Sequence, residues 1–147
     1  MSMKELITPD LVTLNLQAHT PDEALVELGN LLARAGAVVQ LDTYLGAVRT
    51  REALGTTAMG VGVAMPHGKS PGVARAAFAF GRARAGIPWP SLDDQPVQLV
   101  FLIAAPEGGE NAHLRVVSQL ARQLMQPEVR QHLLTADSPD AVLAALQ

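Results

Sequence analysis

The segment Val61-Gly62-Val63-Ala64-Met65-Pro66-His67-Gly68-Lys69 delivers a histidine to the end of an apolar stretch. Pro66 cannot donate to a sheet ladder, so a strand through Val61, Val63 and Met65 is expected to stop there and present His67, with Gly68 leaving its ring uncrowded. Neutral imidazole is a good nucleophile near neutral pH, and a held, accessible histidine can take a phosphoryl group without a further base. The competing reading is a loop histidine of no consequence. A second candidate is Asn111-Ala112-His113-Leu114. With Asn111 as N-cap, His113 falls in the first turn of a helix, where free N–H groups and the dipole favour an anion and disfavour imidazolium. A ring kept neutral there can donate one N–H to a phosphate oxygen; otherwise it is a solvated capping histidine. Arg51, ahead of a Gly55-Thr56-Thr57 turn, is a possible phosphate clamp or simply paired with Glu52 on a helix end.

Other arrangements carry less. Gly62 to Gly68-Lys69-Ser70 imitates a phosphate-binding loop, but five residues separate its glycines where the nucleotide-binding pattern needs four, and Pro71 hinders the helix that should follow. A zinc site built from His67, His113 and an acid such as Asp93 or Glu107 lacks any pair at a recognisable ligand spacing. His19 precedes a helix cap and His132 lies on a polar helical face, so both read as solvated bystanders.

The chain that must position these residues has 147 of them, close to the usual size of one compact domain. Hydrophobic residues make up 48% and charged residues 17%, enough for a core and too few charges for a disordered chain. A formal charge of −3 without a basic stripe argues against nucleic acid, and 3% aromatic residues argue against base-stacking or sugar-stacking faces. Without cysteine, thiolate catalysis and Cys-type metal sites are excluded. No apolar run approaches the roughly 18 residues of a membrane span, and no secretory leader opens the chain, so it is expected to be cytoplasmic with no direct membrane insertion.

Periodicity places the elements. Val12, Leu14 and Leu16 alternate as in a short strand. Thr20-Pro21-Asp22-Glu23 reads as a helix start with a capping box, followed by Leu25, Leu28, Leu31 and Leu32 at helical spacing and a stop at Gly36. A second helix is expected over Leu41 to Leu54, then the strand before Pro66, another over Val73 to Phe80, and a Gly/Pro-rich loop from Gly81 to Pro96. The apolar run Val97 to Ala105 reads as a central strand covered on both faces. A helix then carries Leu114, Val117, Leu120, Ala121 and Leu124, and two short helices start at Pro127 and Pro139. The pattern predicts an α/β single-domain mixed β-sheet flanked by helices. Because ligands collect at the carboxyl ends of strands in such sheets, His67 and His113 can converge despite their separation in sequence.

Taken together, Arg51 to Lys69 resembles the signature of enzyme IIA of the fructose/mannitol class in the bacterial phosphoenolpyruvate-dependent sugar phosphotransferase system (EIIA type 2). The likeness continues through Phe80-Gly81-Arg82, Gly86-Ile87-Pro88-Trp89, Leu92 to Val97, Phe101 to Glu107 and Asn111 to Leu114, so residues 1–147 are expected to form one such domain. The resemblance implies that His67 accepts a phosphoryl group from the phosphohistidine of the carrier HPr. It would pass that group to an enzyme IIB domain serving a membrane-embedded enzyme IIC. His113 carries over as the histidine that hydrogen-bonds the phosphoryl group and Arg51 as the arginine that helps hold it. Such transfer is largely positioning and electrostatics and needs no cofactor and no metal. Thr56-Thr57 stands where Ser-Thr is common in the family and Ala64-Met65 where Ala-Ile is common, both mild changes. A nitrogen-related regulatory branch shares the His67 motif, but Gly86 to Trp89 and Phe101 to Glu107 look closer to the sugar branch. The small residues Gly60, Gly62, Ala64 and Gly68 would let a partner's backbone approach or simply pack a strand under a loop, and Lys69 and Arg75 could steer acidic partners.

Overall fold

A computed structural model describes residues 3–108 and 112–147. Its centre is the apolar run Val97–Pro106, here β6. Side chains alternate between the two faces of a strand, yet consecutive residues Leu99 to Ala104 are all at most 2% exposed, so β6 is covered on both sides. Around it lies a mixed sheet formed by β1 (Val12–Thr13), β2 (Ala58–Gly60), β3 (Val63–Ala64), β4 (His67–Ser70), β5 (Ala77–Ile87) and β6. The order is β1-β5-β6-β3-β2, with β4 also on β6. β5 runs antiparallel to β6 with Phe80 opposite Phe101, their ring centroids 4.9 Å apart. β3 and β4 follow one another along the other flank of β6, both parallel to it, with Val63 opposite Leu99 and His67 opposite Ile103.

The helices are α1 (Met3–Leu6), α2 (Pro21–Arg34), α3 (Leu41–Leu54), α4 (Ala112–Leu124), α5 (Pro127–Thr135) and α6 (Pro139–Ala145). α2 and α3 pack on each other and on β5 and β4, while α4 and α5 cover β6 and α6 packs on α5. Helix α2 starts at Pro21 because Thr20 Oγ1 accepts the Glu23 N–H at 3.1 Å. The Glu23 carboxylate reaches the His19 N–H at 2.8 Å, one residue outside the usual capping-box partner. Gly36, at φ 81°, reverses the chain, and α3 ends against Gly55, both as read from the sequence.

Several expectations change: the strand expected from Val73 starts only at Ala77, and His67 opens a strand of its own instead of following one. The alternation through Leu16 gives only the two-residue β1, after which the chain bends and Leu16 N–H donates to Arg82 O. The stretch from Ala58 to Ala64 is a hairpin, β2 and β3, and no continuous strand. Val61 and Gly62 both have positive φ (52° and 77°), as a type I′ turn requires, and the Asp93 carboxylate accepts the Val61 N–H at 2.9 Å. Residues Gly81 to Ile87, read as loop, continue β5. A Cβ at Gly81 would lie 2.9 Å from Leu16 Cδ1 and 3.0 Å from Leu28 Cδ2, so glycine there is a packing requirement of a buried strand.

Candidate functional site

The β2–β3 hairpin ends at Met65-Pro66, and β4 begins with His67. Pro66 has no N–H to give, but its carbonyl accepts from Ile103 N at 3.0 Å, tying the chain to β6 just ahead of the histidine. His67 is 8% exposed, and its Nδ1 lies 2.9 Å from Met65 O. A carbonyl can only accept, so Nδ1 carries the proton and donates. The lone pair of the neutral ring is then on Nε2. The backbone two residues upstream thus sets the tautomer.

Helix α3 presses directly on this strand. A Cβ at Gly68 would sit 2.9 Å from Val48 Cγ2 and 3.1 Å from Val48 N, so Gly68 is dictated by α3 and not by room for the imidazole. The space at Gly60 is likewise filled from within, by Asp93 Oδ2 at 3.3 Å from a hypothetical Cβ, and Ala64 is fully buried. These small residues serve internal packing rather than a partner's approach. One turn before Val48, Tyr44 is buried and its hydroxyl donates to Ile103 O at 2.7 Å, on the strand residue paired with His67. Burial pushes the Tyr44 phenol well above its ordinary pKa, so it remains a donor.

His113 lies in the first turn of α4, and its ring centroid is 6.1 Å from that of His67 with the planes tilted 42°. The two histidines therefore converge, although His67 opens β4 and does not stand at a strand's carboxyl end. Asn111, the expected cap, lies outside the described residues. His113 Nδ1 is buried and has no hydrogen-bond partner among the described residues. Its pKa falls below the ordinary histidine value, first through burial, then through His67 and Lys69 nearby. The pair therefore favours a neutral second ring beside a nucleophilic nitrogen.

Arg51 shares the face of α3 that carries Val48, but its Nη1 donates to Gly55 O at 2.8 Å, closing the end of its own helix. It is partly buried. Glu52 is not its simple ion-pair partner. Its carboxylate accepts from Thr57 N at 2.9 Å, Thr57 Oγ1 at 2.6 Å and Trp89 Nε1 at 3.3 Å. In the sequence Glu52 reads only as a partner for Arg51, although a helix-terminal glutamate followed by Gly55 and two threonines is a signal for such a bracket.

Asp93 is engaged with backbone N–H groups, led by Val61 and then Gln95, which hold its carboxyl below the usual range. Glu107, His19 and His132 are exposed. Among the described residues no group of three histidine, aspartate or glutamate side chains could hold a metal ion. Arg75 donates to Ala35 O at 2.9 Å. No helix among the described residues is long and apolar enough to cross a membrane.

Residues 5–147 match the family model of the phosphoenolpyruvate-dependent sugar phosphotransferase system, EIIA 2. The chain is 39% identical over 143 residues to the fructose-specific EIIABC component of Bacillus subtilis, covering 97% of this chain but only 22% of that protein. It is 38% identical to the fructose-specific EIIA component of Haloferax volcanii, covering 92% of this chain and 89% of the relative. Among solved structures, the nitrogen regulatory protein IIA-Ntr of Neisseria meningitidis superposes with TM-score 0.90 at 33% identity, over 97% of each chain. The enzyme IIA of an Escherichia coli mannitol complex with phosphorylated enzyme IIB superposes with TM-score 0.81 at 27% identity, over 95% of this chain and 96% of that one.

Proposed function

This chain belongs to the EIIA 2 family of the phosphoenolpyruvate-dependent sugar phosphotransferase system, and from that premise we propose that it is a fructose-type phosphoryl relay with His67 as its phosphoacceptor. The observation that carries the reading is the hydrogen bond from His67 Nδ1–H to Met65 O, which leaves the lone pair on Nε2, beside a second ring 6.1 Å away.

In the proposed step, Nε2 of His67 attacks the phosphorus of phospho-HPr in line with the departing nitrogen. The P–N bond to the carrier breaks as the P–Nε2 bond forms, and the His67 proton stays on Nδ1 against Met65 O. No base is needed because no proton has to leave. His113, kept neutral, offers an N–H to a phosphoryl oxygen, and Arg51 can exchange its hold on Gly55 O for the incoming charge. These groups act by preorganised electrostatics on the transferring oxygens. Reversal of the same step onto an enzyme IIB completes the relay. Pairing with that class of partner is supported by the mannitol complex, in which an enzyme IIA sits with a phosphorylated enzyme IIB.

Fructose-type specificity is supported by the two fructose-specific relatives. The likeness to IIA-Ntr favours a second reading, a regulatory module whose target binding changes when about two negative charges arrive on one surface. The acceptor separates them. Chain phosphorylated through HPr is incubated with a fructose-type enzyme IIB; transfer within minutes supports the relay, and phosphate retained on the chain supports the regulatory reading.

A further inference from the structure

We propose that Glu52 is a positioning residue for His67, acting through three successive hydrogen-bonded links. The Glu52 carboxylate accepts both donors of Thr57, the N–H at 2.9 Å and the hydroxyl at 2.6 Å. Thr57 O accepts the Met65 N–H at 3.1 Å. Met65 O accepts the His67 Nδ1–H at 2.9 Å. Every link has one partner in the chain segment that precedes the imidazole, and the series begins on α3, the helix that also touches Gly68. The end of α3 and the ring on β4 are therefore fixed to each other from two sides.

The carboxylate also binds the loop after β5. Trp89, 4% exposed, donates its indole N–H to Glu52, Thr56 Oγ1 donates to Pro90 O, and Asp93 holds the Val61 turn. This loop braces the hairpin along its length. Thr57 and Met65 close the hairpin at its base, immediately beyond the pair Ala58 and Ala64. Without the carboxylate, Thr57 loses the acceptor of two of its donors, and the base of the hairpin is free to shift. Met65 O then no longer meets Nδ1 at a fixed position. The consequence is specific: Nδ1 gives up its fixed proton, and Nε2 spends part of its time protonated and unable to attack.

The proposal rests on His67 being the phosphoacceptor, and its test separates the two ideas. Nitrogen-15 correlation spectra of the His67 ring are recorded on the whole chain at mildly alkaline pH for wild type, Glu52→Ala, Glu52→Gln and Trp89→Phe. Wild type is expected to show Nδ1 protonated and Nε2 bare. Glu52→Ala should average toward a tautomer mixture and lose about 10- to 100-fold in the rate of phosphorylation from phospho-HPr. Glu52→Gln retains one acceptor and should keep the wild-type tautomer with a rate within about threefold. Trp89→Phe, which spares the Thr57 bonds, should leave the tautomer unchanged. A wild-type tautomer in folded Glu52→Ala overturns the proposal. Should that variant not fold, Glu52→Met, which removes both acceptors while filling the space of the side chain, carries the same expectation, and an unmoved tautomer there overturns it equally. If wild type takes no phosphate, the relay reading fails while the tautomer comparison still decides the role of Glu52.

Discussion

Replacing Gly68 by alanine tests whether α3 sets the position of the reactive strand. The new Cβ would stand 2.9 Å from Val48 Cγ2, 3.1 Å from Val48 N and 3.4 Å from Ala47 C, and two of these atoms are helix backbone that can retreat only if α3 moves. Overpacking of this kind costs about 1–3 kcal/mol. The backbone of Gly68 is not in the left-handed region, so alanine recovers about 0.4–1 kcal/mol by restricting the unfolded chain. The balance is about 1–2 kcal/mol of lost stability, or a Tm lowered by about 3–6 °C for a chain of this length. Val48 is fully buried, and Val48→Ala removes two methyl groups, costing about 2 kcal/mol. In the double variant the Gly68→Ala methyl takes space vacated at Val48, so the combined loss should fall about 1 kcal/mol short of the sum. Because a displacement near 1 Å can cost about 10²-fold in rate, Gly68→Ala should also slow phosphorylation of His67. Urea unfolding of the four proteins supplies the cycle. Strict additivity, or a Gly68→Ala variant as stable as wild type, would refute direct contact between α3 and this strand.

Two further predictions come from single groups. The His113 pKa lies below its ordinary value in the fold, so as pH falls through about 6.5 the unfolded chain takes up the proton first. Its effect on stability is absent above that pH and grows as a loss below it, until the folded-state pKa is reached. His113→Gln should flatten the dependence of urea stability between pH 7.5 and 5.5; an unchanged slope contradicts the assignment. Arg82, 2% exposed, donates from Nε to Leu14 O and from Nη1 to the carbonyls of Leu133, Leu134 and Ala136 at the end of α5. Arg82→Met strands those carbonyls and should cost about 3–5 kcal/mol, while folded protein at low temperature keeps its phosphorylation rate. A loss under 1 kcal/mol by urea unfolding would show that water replaces the guanidinium.

What was legible in the sequence had local causes. Helix α3 was bounded by its own end signal at Gly55, and β6 by an apolar run too continuous for a half-exposed strand; His67 and His113 do meet, but with His67 opening β4 and not at a strand's carboxyl end. What was not legible depends on partners distant in the chain. Val61 turns with positive φ because Asp93 holds its N–H, and Gly81 continues a strand because Leu16 and Leu28 fill the space above it. Arg82 falls in a stretch read as loop until the carbonyls closing α5 are brought to it. Glu52 beside Arg51 looks like a solvated pair, and only the folded bracket to Thr57 and Trp89 gives it another purpose. The small residues around His67 were open to two readings, and α3 and Asp93 decide in favour of internal packing at Gly68 and Gly60.

The central claim is that His67 takes a phosphoryl group, and intact-mass measurement tests it most directly. Wild type and His67→Ala are incubated with phosphoenolpyruvate, enzyme I and HPr, then split between neutral and acidic conditions. The account predicts one acid-labile phosphoryl group, about 80 Da, on wild type and none on a folded His67→Ala variant. A variant labelled at the wild-type rate, or a wild type left unlabelled by an active donor, would contradict it.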